Sequence, residues 1–248
     1  MRSDQLRLEV DPAVSVLFPE MRVAWFTCRN LQALASTSFA HSLIYRAKET
    51  WNHVSEHQIS ATRCVAAWRS AYAVQGVDPS KYEPRIETLI RRFAADRYER
   101  FEVPLIDLMN AISAIHGVPI KSYNIEGLRA HTIRVRFGAD HDAFDPQSGE
   151  PEWYPITERT AVYADGSRVL TWCLNHQDSC ATAVANGTEA VVMVAESVDR
   201  AQYAEHARAL KVLRRTLLLS GAELSPLELC GAGINVFEPA AAGKSTIA

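Results

Sequence analysis

Two short stretches of the chain concentrate side chains able to do chemistry. Asn175 to Ser179, NHQDS, brings an amide, an imidazole, a carboxylate and a hydroxyl within five residues. At the end of a strand, such groups either orient a polar small molecule over a rigid sheet or cap a turn. The second stretch is VPLIDLMNAISAIHGVP, Val103 to Pro119, in which Asp107, Asn110 and Ser113 recur every three residues and share one helix face. Leu105, Ile106, Leu108, Met109, Ile112 and Ile115 cover most of the remaining circumference, so this helix belongs mostly inside the protein. A carboxylate and an amide there need partners, which either the protein's own backbone or a ligand can supply.

Other motifs fail on spacing. Gly243, Lys244 and Ser245 would end a phosphate loop, but the pattern needs a glycine where Glu238 stands and a helix to follow. The eight histidines form no H-E-x-x-H pair, and His141 among Asp140, Asp142 and Asp145 reads as a solvated loop. The five cysteines are odd in number and contain no C-x-x-C, so reduced thiols are expected, with no structural zinc and no cofactor. No G-x-S-x-G elbow occurs.

With 48% hydrophobic and 22% charged residues, the composition is that of an ordinary globular protein, and neither a membrane-length apolar run nor a secretory leader is seen. A cytoplasmic location is the resulting expectation. A net charge of −3 does not mark a nucleic-acid binder as a whole. Local charge could still serve: Arg85, Arg91, Arg92, Arg97 and Arg100 cluster in one segment, and Arg208, Lys211, Arg214 and Arg215 in another, although Glu83, Glu87, Asp96 and Glu99 dilute the first.

Stepping outward from these groups, alternation predicts strands at Leu6 to Val10 and Met21 to Cys28, followed by helical periodicity from about Ser38 to Val74. Ser80 and Glu83 have capping-box spacing ahead of a helix running to about Arg97. Around the apolar helix, Pro104 suits a first helical position and Gly117 with Pro119 supplies the stop. Strands are expected at Val118 to Tyr123 and Thr132 to Phe137, and Asp165-Gly166 marks a hairpin within AVYADGSRVLTW. A buried strand at Ala190 to Ala195 and a helix over Arg200 to Ser220 complete the pattern. Helices gather early and strands late, which predicts α+β; no linker divides the chain, so residues 1–248 are read as one domain.

In order and spacing, WRSAYAVQGVDPSKYEPRIETLIRR (from Trp68), VPLIDLMNAISAIHGVPI, AVYADGSRVLTWCLNHQDS and AVVMVAE resemble the B3/B4 tRNA-binding editing domain of the phenylalanyl-tRNA synthetase beta subunit, and free-standing relatives of it. The resemblance covers about residues 14–222 and leaves residues 240–248 as an expected flexible tail. It implies a three-layer β/β/α fold and a pocket that, in the synthetase, hydrolyses mischarged tyrosyl-tRNA. Asn110, Asp165, Asp178 and Ser179 fit the family pattern, and Glu196 stands for its strand-end glutamate after a two-residue shift. The family's threonine and histidine fall on Met109 and Lys121, and its two pocket glycines on Asn175 and His176.

The expected activity is hydrolysis of an aminoacyl-tRNA, or of a related aminoacyl ester or amide, without a metal. His176 or Glu196 would be the base, and Asn110, Lys121, Asn175, Asp178 and Ser179 would bind substrate. Backbone N–H groups near Asp178 would hold the oxyanion, and Arg91 and Arg92 would contact tRNA. The alternatives are an aminoacyl-tRNA-dependent transferase and a non-catalytic module binding an amino acid or tRNA.

Overall fold

In a computed structural model of the chain, the described residues are 6–36, 39–147, 154–231 and 236–237. The chain begins with β1 (Arg7–Val10), α1 (Pro12–Leu17) and β2 (Arg22–Arg29). The stretch read as one helical block is three helices, α2 (Phe39–Trp51), α3 (Glu56–Ala61) and α4 (Arg63–Val74). A reciprocal capping box forms here, at Ser55 and Gln58.

The capping box expected at Ser80 and Glu83 does not form. Both the N–H and the hydroxyl of Ser80 donate to Asp78, and Glu83 accepts from Thr88, so the competing Asp78 turn takes the hydroxyl. α5 (Arg85–Ala94) therefore starts after Pro84 without a side-chain cap and stops short of Arg97. α6 (Pro104–His116) has the expected boundaries. Gly117 closes it with φ of 65°, and a Cβ there would also lie 2.8 Å from Cys64 Sγ.

The remaining strands are β3 (Ile120–Asn124), β4 (Thr132–Phe137), β5 (Ala161–Asp165), β6 (Arg168–Trp172), β7 (Gln177–Asp178) and β8 (Ala190–Ser197). α7 (Tyr203–Leu219) and the short strands β9 (Glu223–Leu224), β10 (Glu228–Gly231) and β11 (Val236–Phe237) follow. The tail at 240–248, with Gly243 to Ser245, lies outside the described residues.

Among the described residues the strands form two sheets, one ordered β1-β4-β5-β6-β7 and the other β11-β10-β2-β8-β3, with β9 also on β2. In the first, β1 runs parallel to β4 and the other pairs are antiparallel; the second is antiparallel throughout. Alternation along the second sheet explains the layering. Val23, Trp25, Val192 and Val194 join the core shared with Val135, Val162 and Tyr163 of the first sheet, while Phe26, Met193 and Ala195 pack with Leu108 and Ile112 of α6 and Leu213 of α7. The fold is thus α+β with a mixed first sheet, the second sheet standing between it and the helices α6 and α7.

Lys121 and Glu196 share the parity of Tyr123 and Val194, so they point between the sheets. Asp165, one of the family-pattern residues, serves the hairpin. Its carboxylate accepts the N–H groups of Arg129 and Ala130 at 2.5 and 2.7 Å and pairs with Arg168.

Candidate active site

Arg85 and Arg92 of α5, Phe101, Asn110 of α6 and His176 are among the walls of an open cleft of about 300 Å³. A pocket of about 20 Å³ adjoins it, bearing Asn110, Ser113, Lys121, Asn175 and Asp178 against apolar side chains such as Ile86 and Ile120. Arg85, Leu89 and Asn110 line both spaces and so stand at the passage between them.

The α6 side of the site is held by Asp107. This fully buried carboxylate accepts the Tyr98 hydroxyl at 2.7 Å, the Phe101 N–H at 3.1 Å and the Arg100 guanidinium at 3.2 Å. With its proton given to Asp107, the Tyr98 oxygen can only accept, and it accepts Asn110 Nδ2 at 3.2 Å. The amide is thereby oriented with Oδ1 as the group it offers to the cavity. Ser113, one turn on, is buried and its Oγ has no protein partner.

The opposing side is the turn that follows β6. Cys173 and Leu174 take φ of 48° and 63°, a left-handed conformation unfavourable for residues with a Cβ. That conformation turns the Leu174 carbonyl onto Lys121 Nζ. Asn175 follows, buried, with Oδ1 accepting the Tyr72 hydroxyl at 3.1 Å and Nδ2 lacking a protein partner.

Lys121 and Glu196 form a buried ion pair, Nζ to Oε1 2.9 Å, in which the contact is poorly directed as a hydrogen bond. Tyr163 donates its hydroxyl to Glu196 Oε2 at 2.5 Å, and its ring lies 3.9 Å below the ammonium. Burial lowers the Lys121 pKa against the opposing pull of Glu196 and Asp178. At the pocket edge Asp178 pairs with Arg85 at 2.5 Å and accepts Thr171 Oγ1 at 2.7 Å, and Thr171 in turn meets the Tyr123 hydroxyl at 2.6 Å.

His176 stands in the outer cleft. Its Nδ1 lies 2.8 Å from the Glu83 carbonyl oxygen, and its ring meets Tyr82 and Trp172 edge to face. A carbonyl can only accept, so Nδ1 carries the proton and Nε2 is the basic nitrogen of the neutral ring.

The geometry sorts the expected site residues. Asn110, Lys121, Asn175 and Asp178 all line the inner pocket. Glu196 sits behind Lys121 and lines neither space. Ser179 caps a turn, its Oγ accepting the Ala181 N–H at 3.2 Å. The N–H groups of Asn175, His176, Ser179 and Cys180 bond the carbonyls of Cys173, Trp172, Leu170 and Asp145, so these four backbone donors are engaged within the protein. Arg91 is committed to Glu56, Glu83 and Glu87, whereas Arg92 is exposed on the cleft.

Two residues of the inner pocket, Ser113 and Arg85, lie outside the set expected from sequence to bind substrate. Ser113 was visible as the third member of the α6 stripe. Arg85 was one arginine among five, and nothing local marks it as the partner of Asp178, 93 positions away.

The sequence matches the B3/4 domain family over residues 67–216. The chain belongs to the B3/4 domain family. The matched span contains every residue of the inner pocket and of the outer cleft named above. Among solved structures, an N-terminal fragment of the phenylalanyl-tRNA synthetase beta subunit from Pyrococcus horikoshii is similar at 12% identity and a TM-score of 0.44, over 88% of this chain and 50% of that one. The chain thus spans about half the length of that fragment. No curated protein matches. Among the described residues, no group of three or more His, Cys, Asp or Glu could hold a metal ion, and no helix is long and apolar enough to cross a membrane.

Proposed function

We propose that this B3/4 domain acts in the cytoplasm as an aminoacyl ester hydrolase on an aminoacyl-tRNA or a related aminoacyl ester. The observation that carries the reading is the pairing of two spaces: an open cleft bearing an imidazole with a fixed tautomer, and beneath it a polar pocket whose amide Nδ2 has no protein partner. The resemblance to the synthetase editing domain supplies the substrate class.

In this scheme His176 Nε2 takes a proton from water as the water oxygen attacks the ester carbonyl. The tetrahedral oxyanion is held by the Arg85 guanidinium, which lines both the cleft and the pocket. Collapse breaks the ester C–O bond, and the imidazolium returns its proton to the departing ribose oxygen. The products are a free amino acid and an uncharged acceptor end. Glu196 is a positioning residue here: its carboxylate fixes Lys121, which fixes the Leu174 carbonyl and hence the Asn175 turn. Arg92, and the exposed Arg97 beyond α5, are the groups through which the outer face would meet phosphates.

A second reading, binding without turnover, draws on the mutual neutralisation of Lys121 and Glu196. A deacylation screen across aminoacyl-tRNAs separates the two. The hydrolase reading expects at least one substrate, with His176→Ala slowing it about 10²-fold or more. Absence of turnover with every aminoacyl-tRNA, by folded protein that still binds tRNA, would overturn it in favour of the binding module.

A further inference from the structure

The inner pocket has two features that together select a ligand. Its space is about 20 Å³, room for about one water molecule. Two of the residues lining it, Ser113 and Asn175, each 2% exposed, carry a buried polar atom without a protein partner, Oγ and Nδ2 respectively. A buried polar atom left alone is costly, so a guest able to satisfy both is favoured over one of equal size that cannot. Nδ2 donates and Oγ does either, so the matching guest is an oxygen that accepts from Asn175 and exchanges a hydrogen bond with Ser113.

Charge narrows the class. The ionised groups at the pocket are Lys121 with Glu196 and Arg85 with Asp178, two cations against two anions. A guest carboxylate or ammonium would add an uncompensated buried charge, whereas a hydroxyl would not. An aromatic ring does not fit without displacing Ile86 or Ile120, each of which is well buried.

Resting on the reading of the site as an aminoacyl pocket, we infer that the inner pocket selects a short, neutral, hydroxyl-bearing side chain, with serine as its simplest form, and rejects aromatic and acidic ones. Ser113 and Asn175 are the specificity-determining residues. Alanine, which fits but leaves both polar atoms unpaired, binds more weakly; one lost buried pairing is worth about 10-fold.

The test uses the full chain and 3′-aminoacylamido-3′-deoxyadenosines carrying serine, alanine, aspartate or tyrosine, in which an amide replaces the hydrolysable ester. Calorimetric titration should give a serine-to-alanine affinity ratio of about 10 or more, with aspartate and tyrosine weaker than alanine. Ser113→Ala, a small substitution favourable to a helix, should bring the ratio towards one. Equal affinity for serine and alanine, tyrosine or aspartate binding as tightly as serine, a ratio unmoved by Ser113→Ala, or no binding of any analogue would each overturn the inference. The hydrolase reading fails separately: the expected ratio with no ester ever deacylated removes the hydrolase and keeps the pocket's selectivity, while deacylation without serine preference does the reverse.

Discussion

Two glutamates, Glu87 and Glu196, are both fully buried, yet their surroundings differ in kind. Glu87 of α5 accepts Ser60 Oγ and Arg91 Nη2 on one oxygen, both at 2.8 Å, and Arg69 Nη1 on the other at 2.7 Å. Its cluster ties α3, α4 and α5 together with both oxygens supplied. Burial raises its pKa, but the hydrogen bonds from Arg91, Arg69 and Ser60 outweigh this and hold the carboxyl below its ordinary value. Glu196 belongs to a cluster bordering a cavity, where Ser113 Oγ and Asn175 Nδ2 lack partners. In the first cluster the Glu87 carboxylate is saturated, although Arg91 Nε beside it lacks a hydrogen bond, whereas the second borders a cavity with two unpartnered polar atoms, where the proposed ligand would bind.

The largest effect should come from the saturated cluster. Glu87→Leu strands two arginines at a three-helix junction and should lower stability by about 3–5 kcal/mol in urea unfolding. Ligand affinity of the folded fraction should be unchanged; a parallel loss of affinity would break the distinction between the clusters.

A third buried group offers a pH test that touches neither cluster. His206 of α7 is buried, its pKa lowered to about 4 by desolvation and by Arg22 against a hydrogen bond that it donates to the Ala195 carbonyl. A histidine depressed in the folded state contributes stability that is intact above its unfolded value near 6.5 and lost as pH falls. The loss should reach about 3 kcal/mol by pH 4. Glu87, Asp199 and Glu205, all held below their ordinary values, weaken the fold only under more acidic conditions. Urea midpoints from pH 7 to 4.5 should therefore slope in the wild type and flatten in His206→Gln; a slope surviving that change would move the acid sensitivity into one of the two clusters.

Asp107→Asn probes the seam between saturated and open regions. Weakening the hold on Tyr98 and Arg100 should cost about 2 kcal/mol, since charge-assisted hydrogen bonds are lost. It should also release the orientation of Asn110 and so reduce affinity for the serine analogue. A stability loss with affinity intact would show that Asn110 is held by packing alone.

The smallest expected effect has the opposite sign. Ser113→Ala removes an unpartnered buried hydroxyl and should raise stability by about 1 kcal/mol in the absence of ligand. Destabilisation of that size would mean that the hydroxyl is already satisfied and that the pocket is as complete as the Glu87 cluster.

Much of this architecture is legible in the sequence alone. Pro104 and Gly117 bounded α6, Asp165-Gly166 marked the β5–β6 hairpin, and the three-residue spacing of Asp107, Asn110 and Ser113 placed them on one face. The capping-box spacing of Ser80 and Glu83 goes unused because Asp78, two residues away, takes the Ser80 hydroxyl into its own turn. Arg91 and Arg92 are adjacent and identical in type, yet one is drawn into the Glu87 cluster and the other faces the cleft.

These outcomes divide along the range of the forces involved. Caps, turns and helix faces arise from contacts within about four residues, so residue order alone determines them. Which buried polar atom is satisfied is settled over long loops: Asn175 meets Tyr72 across 103 positions, His176 meets the Glu83 carbonyl across 93, and Lys121 meets the Leu174 carbonyl across 53. Glu87 and Glu196 are chemically one residue type, and no local pattern says that the first will be surrounded by donors and the second left beside a gap. That difference exists only once the helices and the two sheets have packed, because packing decides which donors and acceptors come within hydrogen-bonding reach and which are left to a ligand.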